Sequence, residues 1–254
     1  MFNLKKSITT SLVLAFILSP LTVFANSGIL VFGGTGKLGI EIVLDLVEAG
    51  ESVTVFVRPT SDRSGLKPMG VSFVIGDVLS ENDVESALKA GPYRVVVDAL
   101  ARDGGVYPEF YVDSMRYISK WAKETGVSQV ILHGSVGAGL SLPIYPKTRW
   151  DVMGPTISAK DFGERHLMES GAPYTIIRNL VLLPAEIKES GKAAMTTNQR
   201  KRGVITRDAL ARFTMECLDN TSCINEIFHA YDDAIELPPG RYRQTLDGFR
   251  KAEQ

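Results

Sequence analysis

The stretch ILVFGGTGKLGIEIV, residues 29–43, constrains this chain more than any other. Ile29 to Gly33 is a short apolar run bounded by glycines and reads as a buried strand. From Lys37 to Ala49, apolar residues at Leu38, Ile42, Leu46 and Val47 recur at helical spacing, and Gly50 ends the helix. Between them, Gly33, Gly36 and Gly39 are spaced G-x-x-G-x-x-G. The first lets the chain turn tightly out of the strand, the second lets the backbone approach a pyrophosphate, and the third lets the helix pack against the sheet. The helix start then offers free N–H groups and a positive dipole end to a phosphate. Strand, glycine turn, helix and a second strand (Ser52 to Val57) follow in the order a dinucleotide site requires. Gly33, Thr35, Gly36, Lys37, Leu38 and Gly39 are therefore candidate cofactor-binding residues.

The alternation continues. Strands are expected at Val71–Ile75, Val95–Leu100, Gln129–Leu132 and Tyr174–Arg178. Helices are expected at Asn82–Leu88, Tyr111–Thr125 and Ser158–Glu169, and a Gly-, Pro- and Ser-rich loop at Gly134–Pro155. Near-continuous apolar strands between helices imply a parallel sheet covered on both faces. Right-handed crossovers make it doubly wound and Rossmann-like. The fold class is α/β in a single domain: residues 26–178 form the core and residues 179–254 a small C-terminal elaboration. In that elaboration GVITRDALARFTMECL reads as a strand and then a helix from Arg207, started by its acidic first turn at Asp208. EIFHAYD reads as another strand, and GRYRQTLDGFRKAEQ as a short amphipathic helix.

The strand ends carry the cofactor choice. An acidic residue at the end of the second strand takes the ribose hydroxyls of NAD. Here Arg58 stands there, with Arg63 behind it, and a cation suits the 2′-phosphate of NADP(H) over NAD(H). Asp77 and Val78, after the third strand, would lie near the adenine. Ala99 and Leu100, ending the fourth, would lie along the cofactor. The net charge of −1 suggests no nucleic-acid partner. The basic run NQRKRG near Arg200 reads as a solvated loop, with a ligand phosphate as the alternative.

Lys5 and Lys6, the apolar run Leu12–Leu18, Pro20 and the Val23-Phe24-Ala25 triplet form the pattern of a secretory signal, cleaved after Ala25. Export to a periplasm or out of the cell is the expectation. Membrane contact is expected only if this segment stays uncleaved. Cys217 and Cys223 could pair in an oxidising compartment or stay two buried thiols. There is no Cys-x-x-Cys and no zinc-ligand spacing.

GGTGKLG, VFVRP, VIGDV, VVDALA and SAKDFGERHLMESGAPYTIIR together resemble the atypical short-chain dehydrogenase/reductase superfamily, in its NmrA-like and flavin-reductase-like NAD(P)-binding group. The likeness covers Gly28 to Arg178 and is looser to Tyr231. It implies a Rossmann fold and NAD(P) binding. Working reductases of the superfamily use Ser, Tyr and Lys, which map here to Ser135, Thr156 and Lys160. A threonine hydroxyl is a far poorer proton donor than a phenol. Tyr145 is the candidate substitute, with His133 and His166 behind it. The resemblance implies that Lys160 grips the nicotinamide ribose; the alternative is an i,i+4 ion pair with Glu164. The functional expectation is an NADPH-dependent reductase serving a small acceptor such as a flavin, quinone or enone. Alternatives are a non-catalytic NADP-binding regulator and, less favoured, a nucleotide-sugar epimerase or dehydratase.

Overall fold

The computed structural model describes residues 28–102 and 108–252. The expected signal segment, residues 1–25, lies outside the described residues.

The chain runs β1 (Gly28–Phe32), α1 (Lys37–Glu48), β2 (Val53–Val57), β3 (Ser72–Ile75), α2 (Glu81–Lys89), β4 (Tyr93–Asp98), α3 (Pro108–Glu124), β5 (Gln129–Ser135), α4 (Trp150–Glu169) and β6 (Tyr174–Asn179). Then follow β7 (Val181–Leu182), β8 (Ala194–Thr196), β9 (Val204–Ile205), α5 (Arg207–Cys217), β10 (Glu226–Tyr231) and α6 (Arg241–Ala252). Eight strands form one sheet in the order β3-β2-β1-β4-β5-β6-β10-β8. The first seven are parallel, and β8 pairs antiparallel with β10. This is the Rossmann-like doubly wound sheet expected from the alternation.

Residues that alternate along each strand bury on opposite faces. Ile29, Val31, Val55 and Val97 pack with Ile42 and Leu46 of α1 and Leu210 and Phe213 of α5. Leu30, Phe32, Val96 and Val130 pack with Val84 of α2, Met115 and Ile118 of α3, and Leu167 of α4. Both faces are dry, so the strands read as continuous apolar runs rather than as alternation. The C-terminal segment adds a small core in which Leu246 and Phe249 of α6 meet Leu183, Val204, Ile235 and Leu237. β7 and β9 pair beside it.

Four expectations need correction. The segment taken as a loop to Pro155 is helical from Trp150, because Trp150 folds over Gly154 one turn later and the helix carries the one N–H missing at Pro155. β5 runs on through Ser135, paired with Asn179 of β6. β4 stops at Asp98, so Ala99 and Leu100 follow the strand instead of ending it. The α5 cap is Thr206, whose hydroxyl accepts the Ala209 N–H, with Asp208 inside the first turn. The cysteine alternative resolves to a disulfide, Cys217 to Cys223, with Cα atoms 5.5 Å apart.

Candidate functional site

The strand order reverses direction between β1 and β4, and a crevice opens there beyond the strands' carboxyl ends. It is a cleft of ≈ 700 Å³. Its near wall is the glycine turn. Gly33 has a φ of 79° and sits against the Ala99 carbonyl and the Leu100 nitrogen; a Cβ there would stand 2.7 Å from Ala99. The Ala99 N–H donates to the Phe32 carbonyl at 3.0 Å, which ties the two strand ends together. The Gly36 N–H donates to the Gly33 carbonyl at 2.9 Å, closing the turn. Gly36 is the N-cap of α1 and offers no side chain to that helix's first N–H groups. Those donors are left to a ligand, which fits a pyrophosphate.

Of the residues expected to bind the cofactor, the cleft gathers Gly33, Thr35, Gly36, Lys37, Leu38, Arg58, Asp77, Val78, Ala99, Leu100 and Lys160. Gly39 lies behind the turn, packed on Gly33 and Gly34. Arg58 is exposed at the end of β2, with Ser61 beside it in the cleft. No described residue pairs with its guanidinium. Asp77 spends one carboxylate oxygen on the Leu79 N–H, at 3.0 Å.

The catalytic expectations fare differently. Ser135 ends β5, but its hydroxyl donates to the Val136 carbonyl at 3.2 Å and does not line the cleft. Tyr145 packs against Gly137 and stands edge-on to Trp150 at 6.0 Å, also away from the cleft. Burial pushes its phenol pKa up, which weakens it as an acid. His166 borders a shallow depression between α3 and α4. Thr156 lies on α4 ahead of Lys160 and is not part of the cleft wall. The basic run is engaged elsewhere: Lys201 pairs with Asp233 at 2.7 Å, and Arg202 lies over Phe249.

Lys160 is the ionisable centre of the far half. Its ammonium sits over the Tyr111 ring, 5.0 Å from the centroid. Burial pushes its pKa down, while Asp98 and Glu164 pull it back up. Asp98 is buried at the β4 terminus and accepts the Leu100 N–H at 2.7 Å. Burial raises its carboxyl pKa to about 6, against the pull of the backbone bond and of Lys160. Glu164 does not pair with Lys160. It forms a buried ion pair with Arg178 at 2.6 Å, with a second contact through the Arg178 Nε at 3.0 Å. Burial pushes the Glu164 carboxyl up, and Arg178 pulls it back.

The cleft also includes Phe110, His133, Asn179, Leu182 and Arg207, none of them named as cofactor contacts from sequence. Asn179 was findable, because it follows the apolar run of β6 and so lies at a carboxyl strand end. Arg207 was not: its guanidinium is placed by the Leu183 carbonyl, an acceptor at 2.6 Å that only the tertiary fold brings near.

Comparison with known proteins agrees with this geometry. Sterol demethylase protein B of Methylococcus capsulatus is 32% identical over 113 residues, 43% of this chain and 34% of that protein. NAD(P)H azoreductase of Xenophilus azovorans is 25% identical over 206 residues, 79% of this chain and 66% of that protein. The chain thus spans between a third and about two thirds of these relatives' own lengths. In fold it is similar to ChuY, an anaerobillin reductase of Escherichia coli O157:H7, with a TM-score of 0.73 and 22% identity. That match covers 83% of this chain and 100% of the other. The sequence model of the NAD(P)H-binding family matches residues 33–221. The match takes in the glycine turn and the strand ends around the cleft, and the chain belongs to the NAD(P)H-binding family.

Proposed function

We propose that this protein is an NADPH-dependent reductase that passes hydride to a small flat acceptor of the flavin, quinone or enone type. The observation that carries the reading is one continuous cleft. A phosphate-fitting glycine turn and the Lys160 ammonium share its wall, and Leu100, Phe110 and Leu182 line it with them. The dinucleotide supplies the hydride when bound. Lys160 holds the nicotinamide ribose, and the three apolar side chains exclude water from the acceptor face. Such acceptors need little acid help from the protein, since solvent can protonate the reduced product. That suits a cleft with Thr156 in place of a phenol donor. One relative is by its name an NAD(P)H azoreductase, which favours reduction of a small acceptor.

Arg58 supports NADP over NAD, because an exposed guanidinium without a partner among the described residues, at the β2 terminus, suits a 2′-phosphate. Arg58→Ala is expected to raise the Kd for NADP roughly tenfold or more while leaving the Kd for NAD within about twofold, measured by calorimetry. The reductase reading is tested by NADPH consumption against a panel of flavins, quinones and enones. Turnover that falls sharply in Lys160→Ala supports it. Tight NADP binding with no turnover on any acceptor replaces it with the second reading, a non-catalytic dinucleotide-binding protein, which the threonine at position 156 favours.

The proposed setting is outside the cytosol. The N-terminal residue pattern supports this, and so does the Cys217–Cys223 disulfide, since such bonds persist in oxidising compartments. Mass spectrometry of the mature protein tests it. Loss of residues 1–25 is the expected result, and an intact N-terminus from a cytosolic fraction refutes it. The same spectrum shows whether a nucleotide travels with the protein.

A further inference from the structure

We propose that His133 is a ligand-binding residue. Its Nδ1 accepts a hydrogen bond from the N–H of a carboxamide, lactam or imide, whose neighbouring carbonyl faces the Lys160 ammonium.

His133 lies near the end of β5 and lines the cleft with Lys160, Asn179 and Leu182, yet it is only 6% exposed. Its Nε2 lies 2.9 Å from the Thr214 hydroxyl. That hydroxyl has one proton, and it donates it to the Leu210 carbonyl at 3.0 Å. With that proton given to Leu210, Thr214 accepts from His133, and this arrangement puts the neutral ring's proton on Nε2 and a lone pair on Nδ1. The buried Nδ1 has no hydrogen-bond partner among the described residues. Buried acceptors are nearly always paired, so this one calls for a partner that the described residues do not supply. Burial, reinforced by Lys160, pushes the imidazole pKa down to about 3. The ring is then neutral at any ordinary pH. It cannot serve as the proton donor that its sequence position suggested, and it stays a fixed acceptor.

His133 and Lys160 both line the cleft, and the Lys160 charge acts on the imidazole. Opposite them, the matching edge is an N–H next to a C=O. Two sources share that chemistry. One is the carboxamide of the nicotinamide ring, and the other is an acceptor with an imide or lactam edge. Both belong in this half of the crevice, across the β1–β4 switch point from Arg58. The acceptor arm rests on the reductase reading; the carboxamide arm needs only dinucleotide binding.

The chain has three histidines, so protein labelled with 15N-histidine gives a simple spectrum. A proton-free Nδ1 on His133 is expected in the free protein. Its resonance should move when NADP is added and stay when the 3-acetylpyridine analogue, which lacks the amide N–H, is added instead. In calorimetry, NADP should bind roughly tenfold more tightly than that analogue, and His133→Phe should erase the difference. If the acceptor is the source, the preference appears in KM for riboflavin over N3-methylriboflavin, and the dinucleotide pair binds equally. Should His133→Phe not fold, the wild-type comparisons decide by themselves. A protonated Nδ1, or equal treatment of both members of both pairs, overturns the proposal. Absence of turnover removes the reductase reading and leaves the NADP comparison to be read on its own.

Discussion

At Gly39 a single methyl group decides where α1 can begin. A Cβ there would stand 2.2 Å from the Gly33 carbonyl oxygen and 2.6 Å from the Gly34 Cα, both backbone atoms that cannot rotate away. Gly39→Ala is expected to push α1 off the turn and cost about 1–3 kcal/mol, with a matching loss of NADP affinity. Urea denaturation and calorimetry check the two effects. This residue never touches the cleft, yet its spacing from Gly33 and Gly36 was legible in the sequence. Backbone turns are local, and a glycine records where a side chain cannot fit. Lys160 was legible as a site residue for a different reason, its place in a familiar stretch. Its neighbours were not. The Tyr111 ring beneath it comes from α3, and Glu164, the alternative partner one turn away, turns instead to Arg178 on β6. A pairing between elements depends on how they pack, which no local spacing records.

Among the elements, α4 is held to the sheet by that buried pair. Glu164 and Arg178 are 1% and 2% exposed, and Gln199 accepts a further Arg178 hydrogen bond at 2.7 Å. Glu164→Gln would leave a buried guanidinium without its counter-charge. A loss of about 3–5 kcal/mol in unfolding free energy is expected by chemical denaturation. Helix α5 is fixed at its two ends by different means. Thr206 caps its start, and the Cys217–Cys223 disulfide ties its end to the turn before β10. Replacing both cysteines by serine is expected to cost about 2 kcal/mol, as a loop this short closes at modest entropy. Dinucleotide affinity should not change, because the disulfide lies at the end of α5 remote from Arg207; an altered Kd would count against that separation. Element type was legible almost throughout, because two periods distinguish helix from buried strand. The start of α4 was misplaced, because Gly154 and Pro155 read locally as breakers while the packing of Trp150 over Gly154 kept the helix going.

Across the whole molecule, the site exists because the strand order reverses between β1 and β4 and leaves a crevice that helices flank without filling. Burying ionisable groups under that crevice makes stability depend on pH. Asp98 moves from 3.8 in the unfolded chain to about 6 when folded. A raised carboxyl favours folding while it is protonated, so its contribution is full below about pH 3.8 and is lost as pH rises through about 6. Asp98→Asn keeps an oxygen for the Leu100 N–H and removes the charge. It is expected to stabilise the protein by up to about 3 kcal/mol above pH 7 and by nothing near pH 3.5, read from urea midpoints across that range. The sequence alone determined the alternation of strands and helices, the doubly wound class, the glycine turn and the strand-end positions that line the cleft. All of these are written in local periodicity and backbone geometry. Only the tertiary structure decided which polar side chains share the cleft. It withdrew Ser135 and Tyr145 from the cleft wall, joined Glu164 to Arg178, and left the His133 Nδ1 buried with no partner among the described residues. Those outcomes depend on burial and on contacts between residues far apart in the chain, and burial sets the protonation state on which the chemistry depends.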